Sequence, residues 1–211
     1  MLTDSQLIHL CAASYSPAVQ WDELWSGQLA DGIWFAIKKV GDDTVGVFRG
    51  SVTPEDWFRD FLALPHYVKP YPQMGFVHRG FDEGLDELFE KAAPHLGRNP
   101  YIVGHSLGAA RAWLFAGRLV LAGNAPTRIA VCGSPRPAGR QFRDLMATTN
   151  HVSYRNQNDP VTLVPFTLPP WLPFVDPADF TYLNERPMRT DLLASHDISL
   201  YGEGVALLEK T

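Results

Sequence analysis

Apolar residues along the chain switch repeatedly between a helical period and short continuous runs. Residues 3–13 predict a first helix, with Thr3 as N-cap and Gln6 three residues later completing a capping box. Residues 33–40 (IWFAIKKV) and 44–49 (TVGVFR) predict two strands. The short turn Gly41-Asp42-Asp43 joins them as an antiparallel hairpin. The second strand is apolar on both faces through Val45, Val47 and Phe48, as a covered central strand should be. Residues 54–62 (PEDWFRDFL) predict a short amphipathic helix opened by Pro54. Residues 63–75 hold three prolines without a clear period and predict a loop or flap. Phe81, Leu85, Leu88, Phe89 and Ala92 put one apolar stripe on a helix over 78–93.

The second half repeats a strand–helix alternation. Tyr101-Ile102-Val103 predicts a strand, and a helix of small and apolar residues follows to about Ala122. Further strands are expected at 128–132 and 151–155 and around Tyr182, with helices at 140–148 and 196–208. The stretch 165–177 contains five prolines among large apolar groups. This order predicts an α/β fold, with a mostly parallel central sheet and helices on both faces.

The 211 residues suit one domain with a core that needs no staples. The net charge of −5 and the absence of Lys or Arg runs argue against nucleic acid as a partner. Cys11 and Cys132 lack metal-ligand spacing. Cys132 falls in an apolar strand, so two free thiols are expected rather than a disulfide. Met1 to Gln6 show no basic export region, which gives a cytoplasmic location as the expectation, with release by another route as the alternative. No apolar stretch approaches the length of a membrane span.

Gly104-His105-Ser106-Leu107-Gly108 is a G-x-S-x-G motif, lying directly after an apolar strand and directly before a helix. That context is what a nucleophile elbow requires. The serine occupies a tight turn, flanking glycines let the backbones pass, and the hydroxyl rises at the positive helix N-terminus. In such hydrolases the partners follow in the order serine, acid, histidine. Only His151 and His196 follow Ser106, and His151 begins a strand with few acids before it, so His196 is the expected base. Asp144, Asp159, Asp176, Asp179, Glu185 and Asp191 lie between Ser106 and His196. Asp159 comes a few residues beyond a strand's carboxyl end, where functional groups of such sheets collect, and is the expected acid. His105 precedes the nucleophile and is expected to face away from it in a structural role.

Several blocks, in order, resemble the class 3 lipases, the fungal-type triacylglycerol lipases and their relatives. These are Phe48-Arg49-Gly50-Ser51 with Asp56-Trp57, Val77-His78-Arg79-Gly80-Phe81, the Ser106 block, Gly133-Ser134-Pro135-Arg136, and Asn158-Asp159-Pro160-Val161. The resemblance covers roughly 30–200 and implies an α/β-hydrolase fold with a short lid over about 53–74. It also implies an oxyanion hole from the N–H groups of Ser51 and Leu107, aided by the Ser51 hydroxyl. Trp57, Phe58 and Phe61 on the lid, with Phe166 and Trp171 in the proline-rich stretch, are the expected substrate-binding residues. The expected reaction is hydrolysis of lipid or small acyl esters through Ser106, Asp159 and His196, with a transient lipid interface as a further partner. It needs no metal or organic cofactor. A phospholipase A1 or feruloyl-type esterase could use the same machinery. A binding protein on this fold would have no need for the triad.

Overall fold

The structure is a computed structural model that describes residues 1–26, 32–51, 65–165, 174–183 and 193–210. Its frame is a seven-stranded sheet. In chain order the sheet strands are β1 (Glu23–Ser26), β2 (Trp34–Val40), β3 (Asp43–Phe48), β6 (Tyr101–His105), β7 (Arg128–Cys132), β8 (His151–Asn156) and β9 (Phe180–Leu183), and they lie side by side in that order. The first three pair antiparallel. From β3 onward every pairing is parallel. The expected β2–β3 hairpin is present, with Phe35 opposite Phe48 and Val40 opposite Asp43.

Strand alternation divides the core into two layers. Phe35, Ile37, Phe48, Ile102, Ile129 and Val131 point to one face. They are covered there by α2 (Arg79–Asp82), α3 (Leu85–Ala92), α4 (Leu107–Leu121) and α5 (Arg140–Met146). Ala36, Val45, Val47, Val103, Ala130 and Cys132 point to the other. There α1 (Asp4–Ala13) and α6 (Ile198–Leu208), from the two ends of the chain, pack together over the sheet. The Thr3–Gln6 capping box at the start of α1 is formed as expected.

Three elements depart from the sequence reading. The helix expected over 78–93 is broken into α2 and α3 at Gly84, which takes a φ of 78°. Residues 65–75 are ordered as β4 (Pro65–Tyr67), antiparallel to β5 (Phe76–His78), with a single 3-10 turn at Pro72–Met74 between them. Their prolines fit because a two-stranded ribbon demands few backbone donors. Strand β1 carried no clear alternating signal in the sequence. The expected lid helix at 54–62, with Trp57, Phe58 and Phe61, lies outside the described residues, as do Phe166 and Trp171. Cys11 and Cys132 are both buried and free. Among the described residues no helix is long and apolar enough to cross a membrane.

Candidate active site

Strand β6 ends at His105, and α4 starts at Leu107, so the whole turn is made by Ser106. Its φ of 60° and ψ of −133° lie where a side chain is seldom tolerated. Such a conformation costs on the order of 1–3 kcal/mol and persists only when the surroundings enforce it. The flanking glycines show how. A Cβ on Gly104 would stand 2.6 Å from the Gly108 carbonyl oxygen, and one on Gly108 would stand 2.4 Å from the Phe48 carbonyl oxygen. The G-x-S-x-G spacing is therefore a packing requirement of the strand, the turn and the end of β3.

The imidazole of His196 arrives from a 3-10 turn over Leu193–His196, immediately before Asp197 caps α6. Its Nδ1 lies 2.7 Å from Asp159 Oδ2. Asp159 is fully buried beyond the end of β8, with Oδ1 accepting the Val161 N–H at 2.9 Å. Because the carboxylate can only accept, Nδ1 carries the proton and Nε2 is left with its lone pair. His196 Nε2 and Ser106 Oγ are both buried and, among the described residues, both without a hydrogen bond. These are the two atoms between which a proton must pass in a serine hydrolase. Such contacts often tighten only when substrate binds.

Other candidates are occupied elsewhere. Asp176 bonds Arg136 Nε at 3.2 Å, and Asp179 bonds Arg143 at 2.6 Å. The ring of His151 bonds Thr149 at 2.9 Å and packs edge-on against Trp113. Leu107 opens α4, so its N–H belongs to the first turn, where no helical acceptor is available. Ser51 follows Gly50, and a Cβ on Gly50 would stand only 2.7 Å from Ser106 Cβ. The end of β3 thus runs directly against the nucleophile.

Two contributors were not picked out from the sequence. Tyr201, on the first turn of α6 and fully buried, donates to Asp159 Oδ2 at 2.5 Å. Burial, reinforced by the Asp159 charge, pushes its phenol well above the usual range and keeps it a donor. Its place five positions after His196 was the available signal. Gly133 was noted only as part of a block. A Cβ there would stand 2.8 Å from His196 Cε1 and 3.0 Å from Asp159 Oδ2, so the base and acid fit together only over a bare backbone.

The model of the family described as Lipase (class 3) matches residues 45–168. The chain belongs to the class 3 lipase family. The matched span holds Ser51, Ser106, Leu107 and Asp159, whereas His196 lies beyond it and rests on its contact with Asp159. No curated protein matches the sequence. Among solved structures, the Rhizomucor miehei lipase in its propeptide complex is similar at 22% identity and a TM-score of 0.67, covering 84% of this chain and 66% of its own. The lipase of Rhizopus microsporus var. chinensis is similar at 18% identity and a TM-score of 0.70, covering 87% and 75%. A third, a triacylglycerol lipase whose catalytic centre is a serine protease triad, is similar at 23% identity and a TM-score of 0.64, covering 80% and 74%. At these identities the likeness establishes the shared α/β-hydrolase fold.

Proposed function

We propose that this class 3 lipase hydrolyses lipid or small acyl esters through an acyl-enzyme on Ser106. His196 Nε2 takes the proton of the Ser106 hydroxyl as the oxygen attacks the ester carbonyl. Asp159 holds the imidazole in the tautomer that leaves Nε2 basic and stabilises the imidazolium. The oxyanion is bound by the N–H groups of Ser51 and Leu107, with the Ser51 hydroxyl as a third donor. The alcohol leaves with the proton from His196, and water then repeats the sequence to release the acid. The observation that carries the reading is the buried Asp159–His196 contact of 2.7 Å, with Nε2 and Ser106 Oγ both unbonded.

The chain spans 66% of the Rhizomucor lipase chain, and only 37 positions separate Asp159 from His196. From the short stretch between Asp159 and His196 we infer a preference for short or medium acyl chains. A series of p-nitrophenyl esters of increasing chain length tests both parts. The expected result is a burst of p-nitrophenol and the highest kcat/KM at short to medium chains. Equal or higher kcat/KM on emulsified long-chain triglyceride overturns the chain-length preference, and no turnover of any ester overturns the function.

A further inference from the structure

Close to Ser106, a second set of polar groups runs from the end of α1 to the turn that carries His196. Tyr15 follows the C-terminal cap of α1. Its hydroxyl lies 2.7 Å from His105 Nδ1 and accepts the Gly50 N–H at 3.0 Å. His105 Nε2 lies 2.9 Å from the carbonyl oxygen of His196. A carbonyl only accepts, so Nε2 bears the proton, Nδ1 is the acceptor, and the Tyr15 hydroxyl is its donor. Burial, with His196 adding to it, pushes His105 down to about 3, so the ring stays neutral. It also stacks on the His196 ring, with centroids 4.7 Å apart. Gly50 sits between the two sides, since a Cβ there would meet both Ser106 Cβ at 2.7 Å and Tyr15 Oη at 2.8 Å.

We propose that Tyr15 and His105 are positioning residues, joined in the order Gly50 N–H, Tyr15 hydroxyl, His105 ring, His196 carbonyl, that fix the oxyanion strand and the catalytic imidazole relative to each other. The inference rests on the ester-hydrolase reading. Neither residue touches substrate. Gly50 directly precedes Ser51, so tethering its N–H aims the next N–H at the oxyanion. Tethering the His196 carbonyl sets the depth at which its ring stands over Ser106. Both alignments matter in the transition state rather than in the bound ester, and misplacement by about 1 Å is worth up to ~100-fold in rate.

Tyr15→Phe, compared with Tyr101→Phe, is the test. The Tyr101 hydroxyl accepts the Leu2 N–H ahead of α1, at the opposite end of β6, so it controls for the loss of a buried hydroxyl. On a soluble p-nitrophenyl ester, Tyr15→Phe should lower kcat about 10- to 100-fold with KM within twofold. Tyr101→Phe should lower the melting temperature by a similar few degrees and leave kcat within twofold. The low-field proton resonance of His196 Nδ1 should shift in the first variant and stay in the second. Equal kcat in the two variants, or an unmoved resonance in Tyr15→Phe, overturns the relay. Should Tyr15→Phe fail to fold, His105→Gln, which keeps a donor to the His196 carbonyl, should retain at least fivefold higher kcat than His105→Leu, and equal values again overturn it. A wild type that turns over no ester counts against the hydrolase reading, and the relay is then judged on the resonance alone.

Discussion

At the scale of single residues, the site is a set of atoms whose hydrogen-bond partners are fixed by what each can donate or accept. Asp159 is the centre of that accounting, since its buried carboxylate receives Val161 N–H, Tyr201 Oη–H and His196 Nδ1–H. Removing the phenol in Tyr201→Phe leaves one carboxylate oxygen a donor short. The variant should lose about 1–3 kcal/mol of stability and retain most of its KM, with kcat down about tenfold. Urea unfolding and steady-state kinetics on the same preparation check this, and an unchanged kcat would remove Tyr201 from the positioning of the acid. Ser51→Ala keeps the backbone N–H and removes only the hydroxyl. Its kcat should fall roughly 10- to 10³-fold at nearly constant KM, as for other single oxyanion donors. If Ser51 instead serves as a helix cap, the variant melts earlier and turns over normally.

At the scale of elements, the strands of one sheet deliver the functional groups to one end. β3 leads into Ser51, β6 into Ser106, and β8 toward Asp159, while the turn before α6 supplies His196. Most of this was legible in the sequence because apolar runs, glycine spacing and chain order constrain it independently. The elbow could be read from Gly104 and Gly108, and the acid from its place after a strand. Tyr15 could not, because it acts across a gap of tens of residues and looks like any core aromatic, and Tyr201 offered only its place five positions after His196. The helix over 78–93 was misread because its apolar stripe runs through Gly84 without interruption. That region is fastened instead by Arg118 of α4, fully buried, which bonds Asp82 at 2.7 Å and Asp86 at 2.6 Å. Arg118→Met removes the guanidinium from the buried Asp82 carboxylate, which among the described residues keeps only its contact with His66 at 3.0 Å, and should cost about 3 kcal/mol. The kcat of the folded fraction should stay within a few-fold, since α2 and α3 carry none of Ser106, Asp159 and His196. Denaturant unfolding with activity measured in parallel would expose the opposite pattern, a normal stability with lost turnover.

At the scale of the whole molecule, the fold holds several histidines in their neutral form. Burial lowers His105 to about 3 and His78 to about 4, with His196 and His66 respectively adding to the effect. Both values lie below the ~6.5 of an unfolded histidine, so between pH about 4 and 6.5 the unfolded chain binds more protons than the folded one. Stability is therefore complete above pH ~6.5 and drains away as the pH falls, by roughly 1.4 kcal/mol per pH unit for each ring. Urea midpoints measured from pH 7 to pH 5 should decline steadily, and a flat profile would contradict the buried neutral rings. The central claim, that Ser106 is a nucleophile activated by His196 and Asp159, has a more direct test. Intact protein is treated with a fluorophosphonate and its mass and labelled peptide are determined. The account predicts one phosphonyl group, on Ser106, acquired fast in the wild type, far more slowly in His196→Ala, and not at all in Ser106→Ala. A folded wild type that stays unlabelled, or carries the label on another residue, would contradict it.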